Sequence, residues 1–152
     1  MKKISILFLV LCCLVLTGCV GKTKEVKSLS DFEEVCNDNG YTVVDNTTEY
    51  AGATYITGAR KATIGEATWE MVVYDTLDNA KKTQDSHIEK FKNVKSSGAT
   101  GESAKGKNYD SFSLISNGFY MVSSRIDNTL IFTKTAVENK DKILTILDSL
   151  GY

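Results

Sequence analysis

Asn117-Gly118 stands between two runs in which apolar residues alternate with others, residues 109–115 and 119–126. An Asn-Gly pair accepts the left-handed backbone of a two-residue turn whose twist matches antiparallel strands, and it is the strongest short hairpin signal a sequence offers. A third run, 130–134, follows Asp127-Asn128, so the segment predicts a three-stranded antiparallel meander.

Three further strand-like runs lie upstream, at 42–45, 53–61 and 67–75, separated by Asn46-Thr47-Thr48 and by Thr63-Ile64-Gly65-Glu66. In the last of them Trp69, Met71 and Val73 fall on one face and Glu70, Val72 and Tyr74 on the other. Both faces carry apolar residues, which marks a central strand covered on two sides.

Helical periodicity appears three times. Leu29, Phe32, Val35 and Cys36 share a face, with Ser30 and Glu33 spaced as a capping box and Gly40 as a stop. Residues 77–95 carry the stripe Leu77, Ala80, Gln84, Ile88 and Phe91, capped by Asp75 or Thr76. Residues 136–150 carry Val137, Ile143, Leu144, Leu147 and Leu150, with Thr135 and Glu138 as a second capping box and Gly151 at the end. The stretch 96–108, rich in Ser, Gly, Ala and Lys, is expected to be an exposed connection.

The resulting order is α-βββ-α-βββ-α, an α+β fold in which an antiparallel, twisted sheet of about six strands packs with helices. Residues 42–95 and 109–150 then repeat the same element order, a weak internal repeat. The order of elements resembles the PsbP/Mog1-type fold, which implies a sheet of this kind between helices.

The N-terminus belongs to a different regime. Lys2 and Lys3 precede an uncharged apolar run, 4–16, and then the small residues Thr17 and Gly18. This has the three regions of a secretory signal, and the run is shorter than the roughly 20 residues needed to span a bilayer. Leu16-Thr17-Gly18-Cys19 resembles the bacterial lipobox, Leu-x-Gly-Cys. That resemblance implies diacylglyceryl transfer to the Cys19 thiol and cleavage between Gly18 and Cys19. It also implies anchorage on the extracytoplasmic side of the cell membrane, as in small cell-envelope lipoproteins.

On that reading residues 1–18 are removed, 19–28 form a lipidated tether and 29–152 form one α+β domain. The tether, about eight residues, reaches at most ~28 Å when extended. Lys22, Lys24 and Lys27 lie on it, positioned either for anionic lipid or as a solvated linker. Cleavage removes Lys2 and Lys3 and takes the formal charge from −1 to −3, which argues against a nucleic-acid partner.

No catalytic set is legible. Of the four cysteines only Cys36 remains as a thiol, and beside Phe32 and Val35 it reads as a buried small hydrophobe. Residues 101–108, Gly-Glu-Ser-Ala-Lys-Gly-Lys-Asn, match the first part of a phosphate-binding loop but place Asn108 where Ser or Thr must hold magnesium. The segment also follows a helix and enters a strand, the reverse of the required order. His87 is the one histidine, too few for a triad or a histidine metal site. The acids Glu33, Glu34, Asp38, Asp45, Glu49, Asp75, Asp78 and Asp85 are scattered, and only a folded chain shows whether two converge.

The aromatics Tyr50, Tyr55, Trp69, Tyr74, Phe112, Phe119, Tyr120 and Phe132 supply a binding surface if helices cover only one sheet face, and core if they cover both. The expectation is a non-enzymatic binding or interaction module without cofactor or metal, its partners being membrane lipid through Cys19 and an unidentified protein or small ligand at the envelope. A small envelope hydrolase using converging carboxylates, or a structural accessory, is the alternative.

Overall fold

The computed structural model describes residues 21–152, so the leader, the Leu16-Thr17-Gly18-Cys19 motif and the proposed cleavage point lie outside the described residues. The described chain has helices α1 (Leu29–Asp38), α2 (Leu77–Asn93) and α3 (Lys140–Leu150). Its strands are β1 (Thr42–Asp45), β2 (Ile56–Ile64), β3 (Ala67–Tyr74), β4 (Thr100–Lys105), β5 (Tyr109–Ser116), β6 (Phe119–Ile126) and β7 (Thr129–Ala136). All seven join one antiparallel sheet in the order β1-β2-β3-β7-β6-β5-β4.

The α+β class with an antiparallel sheet is therefore observed, with seven strands where six were counted. The additional one is β4, in the stretch expected to be a connection. All six of its residues are exposed, so no apolar alternation marks it. It forms because β5 offers a free edge, pairing from Thr100 with Ile115 to Lys105 with Asp110.

Two meanders, β1 to β3 and β4 to β7, meet along their last strands, where Trp69 lies beside Thr133. The Asn117-Gly118 turn closes β5 onto β6 with positive φ at both residues, 53° and 77°, as a primed two-residue turn requires.

Each face of the sheet is covered. On the first, α1 and α3 bury Trp69, Met71, Val122 and Ile131 beneath Phe32, Cys36, Ile143, Ile146 and Leu150. On the second, Ala80 of α2 packs with Ala59, Val72, Tyr74 and Leu130, flanked by Tyr50, Ile56 and Phe132. Trp69 is 1% exposed and tilts against Phe32 and Tyr41, with ring centres 5.3 and 5.7 Å away. A one-sided sheet presenting Trp69 to solvent is thus excluded. Of the aromatics named from the sequence, Tyr55 and Phe119 are the exposed ones.

Several boundaries shift for identifiable reasons. The α1 capping box is Ser28 with Asp31, not Ser30 with Glu33: Asp31 N–H donates to Ser28 Oγ at 3.1 Å and Ser28 N–H to Asp31 Oδ2 at 2.7 Å. Both pairs satisfy the same spacing, and the helix starts two residues earlier. Thr76 caps α2 through its hydroxyl, as one of the two options anticipated. Thr135 does not cap α3, because β7 runs on through Ala136 and buries it; a single tight turn, Val137–Asn139, then leads into the helix at Lys140. β2 lies at Ile56–Ile64 rather than 53–61, since residues 47–50 form a helical turn that delays it.

Residues 21–28 are docked. Lys107 N–H donates to Lys22 O at 3.2 Å, and the Asn108 carboxamide brackets Lys24, accepting from its N–H at 2.9 Å and donating to its C=O at 2.9 Å. Lys24 Nζ lies 4.8 Å from the centre of the Tyr109 ring.

Candidate functional site beside helix α2

Gln84 sets the rotation of α2. It is buried against the sheet, its Nε2 donating to Asp110 O at 2.7 Å and Ser123 O at 3.3 Å while its Oε1 accepts from Arg125 Nε at 3.2 Å. A buried amide left without these partners is costly, so the helix is held in one register. One turn later, at the i+3 position, the same face presents His87, and a further turn brings Phe91.

The His87 ring tilts against Phe132 at 4.5 Å between centres and stacks at 6.3 Å from Phe91, with Nδ1 3.4 Å from Ser123 Oγ. Burial, with Lys90 adding like-charge repulsion, pushes its pKa down to about 4, so the imidazole is neutral at neutral pH.

His87 contributes to two adjoining hollows. One, about 380 Å³, is lined by Tyr55, Asn79, Lys82, Thr83, Ser86 and Lys90 besides His87. The other, about 290 Å³, opens between Phe91, Phe132, Thr68, Glu70 and Lys134. Glu70 is already engaged, its Oε2 accepting from the Tyr50 hydroxyl at 2.5 Å and from Asn46 Nδ2 at 2.8 Å. Burial and then Glu70 itself raise the Tyr50 pKa above the ordinary tyrosine range, which keeps that hydroxyl a donor.

The result is a groove with aromatic walls, a neutral imidazole, one hydrogen-bonded carboxylate and lysines along its rim. Such a surface can hold an apolar or aromatic body and orient it through a few polar contacts.

A smaller hollow of about 170 Å³ lies on the first sheet face, between β4–β5 and α3. Glu102, Ser111, Ser113, Ser124, Tyr152 and Asp148 supply its polar lining. It brings two acids into one cleft, but both Glu102 and Asp148 are exposed. A glycosidase-type acid needs the desolvation that neither has.

The acids named from the sequence stay apart from all three hollows. Glu33 and Asp45 converge, but on Arg60: its Nε is 3.4 Å from Glu33 and its Nη1 2.7 Å from Asp45. An arginine between two carboxylates makes an ion-paired brace. Asp75 accepts from Asn79 Nδ2 and Thr76 Oγ1 at the start of α2, while Glu34, Asp38, Glu49, Asp78 and Asp85 are exposed. Among the described residues no three His, Cys, Asp or Glu side chains are placed to hold a metal ion, and no helix is long and apolar enough to cross a membrane.

Cys36 is fully buried and burial pushes its thiol up to about 12. Residues 101–108 form β4 and its turn, with Asn108 holding the N-terminal segment. Gln84 and Glu70 were visible only as members of a stripe and a strand. Their hydrogen bonds depend on partners 20 to 41 residues away in the chain.

No family model matches the chain, and no curated protein is similar to it at a significant level. Among solved structures it is similar to a GTP binding regulator from Thermotoga maritima, at 18% identity and a TM-score of 0.47, over 84% of this chain and 87% of that one.

Proposed function

We propose that this chain is a lipid-anchored extracytoplasmic binding module, attached through Cys19, whose ligand or partner seats in the groove beside α2. The observation that carries the binding reading is the groove's lining: His87, Phe91, Phe132 and Tyr55 around a single carboxylate, Glu70, already bound by Tyr50 and Asn46. The leader and the Leu-Thr-Gly-Cys sequence support the anchor.

A photo-crosslinking amino acid at Ser86, on the groove rim, is expected to trap one discrete species in cells. The same residue at Glu66, on the β2–β3 turn, is expected to trap none. Equal labelling from both positions, or a turnover activity abolished by one acidic substitution, overturns the binding reading. For the anchor, Cys19→Ser is expected to abolish incorporation of labelled palmitate; continued labelling refutes it.

A second reading, a small hydrolase acting in the first-face hollow, rests only on Glu102 and Asp148 lining that hollow together, both of them exposed. It requires an activity lost in both Glu102→Gln and Asp148→Asn.

A further inference from the structure

The docked N-terminal segment leaves little slack between the proposed lipid and the sheet. Gly21 packs beside Lys107, the ideal Cβ position at Gly21 lying 3.7 Å from Lys107 Cβ, and Cys19 is only two residues earlier. Two residues span at most ~7 Å. The β4–β5 turn is thereby brought to the anchor, and the tether's free length falls from eight residues to two.

That turn is basic. Lys22, Lys105 and Lys107 are exposed around it, with Lys24 laid across Tyr109. Besides Glu25, which is paired with Lys27 at 2.6 Å, the acids at this corner are Asp110, 3.5 Å from Lys105, and Asp127, which accepts from Asn108 Nδ2 at 2.9 Å. Four lysines against two carboxylates leave the corner positive on a chain whose expected mature form is negative. Asp75 and Asp78 stand at the same end of the sheet but beyond β3, on its other side. The end is therefore polarised, basic at the tether and acidic away from it.

Gly106 shows that the docking is built into the turn. A Cβ there would stand 2.1 Å from the Tyr109 ring and 2.7 Å from Lys22 O, so only glycine admits both the ring and the passing N-terminal segment.

We infer that the β4–β5 turn, with Lys22, Lys24, Lys105 and Lys107, rests on anionic phospholipid headgroups and holds the domain in one orientation to the membrane. This goes beyond the groove and rests on the Cys19 anchor. Positive side chains beside a short tether concentrate at a negative bilayer surface, and Asp75 and Asp78 are repelled from it, tilting the sheet so that the β3 side rises.

The test supplies the anchor chemically. The chain from Cys19 onward is coupled through that thiol to a maleimide lipid in discs containing phosphatidylglycerol and gadolinium-bearing headgroups; buried Cys36 does not compete. Amide signals of Lys22, Lys24 and residues 105–109 are expected to lose more than half their intensity. Those of Gly65 and Gly118, at the far end of strands about 25 Å long, are expected to keep most of theirs. Asn108→Ala should level this gradient by releasing Lys24. A double variant, Lys105→Glu with Lys107→Glu, should level it while Lys24 N–H stays protected from exchange.

Uniform loss across the sheet overturns the inference. A gradient unchanged in the double variant, or in discs of phosphatidylcholine alone, overturns the role of the lysines. Palmitate labelling of Cys19 in cells is read separately, so an orientation that fails on a chain acylated in vivo refutes the docking and leaves the anchor standing.

Discussion

His87 makes the fold sensitive to mild acid. Its pKa is about 4 when folded and takes the ordinary histidine value of 6.5 when the chain unfolds. As pH falls below 6.5 the unfolded chain takes up the proton first, so stability is full above that value and is lost as pH drops toward 4. Between pH 7.5 and 4.5 the linkage gives about 2.5 kcal/mol, and the partial exposure of the ring reduces this to roughly 1.5 kcal/mol.

The assay is urea unfolding across that range, in which the midpoint should fall by about 1 M at a slope near 1.5 kcal/mol per M. His87→Phe keeps a flat ring against Phe132 and Phe91 and cannot titrate, so its midpoint should stay level over the same window. Asp31 and Asp45, held below their ordinary pKa by hydrogen bonds from Ser28 and Thr47, are exposed and lose their contributions only at lower pH. Parallel midpoint curves for the two proteins would refute the assignment.

Three other outcomes follow from the packing. Cys36 should resist iodoacetamide at pH 8 in the folded chain and react at once in urea, because its thiol is fully buried and raised to about 12. Phe32→Ala should cost about 3–5 kcal/mol in chemical unfolding, since it empties a fully buried ring site against Trp69. Gly106→Ala should speed hydrogen exchange at Lys24 and Lys107 while leaving β6 and β7 protected, because the added methyl displaces the N-terminal segment and not the core.

The fold was legible wherever a face was buried. β3 announced itself through apolar residues on both faces, and β5 and β6 through Asn117-Gly118. β4 was not legible because edge pairing to β5 needs no apolar side chain, and its residues carry none inward. The α1 cap slipped by two residues because Ser28 with Asp31 and Ser30 with Glu33 both fit the capping pattern, and only the backbone decides between them.

The groove was partly visible. His87, Phe91 and Phe132 each appeared in the sequence, but on two elements whose approach is fixed by the buried bonds of Gln84. The Asn108 clamp on Lys24 was invisible for a similar reason, being a contact between residues 84 apart. It gives a physical role to the asparagine at the end of a loop that resembles a phosphate site and is not one.

The seam between β3 and β7 also bears on when the chain can fold. The sheet's central pairing sets Trp69 beside Thr133, so the first meander exposes an open hydrogen-bonding edge until the last strand has been delivered. Trp69 and Met71 likewise wait for α3, the final helix, to cover them. Long-range pairings of this kind are slow to form. In a chain of this topology the central pairing and the cover over Trp69 and Met71 form only after the last strand and helix are available.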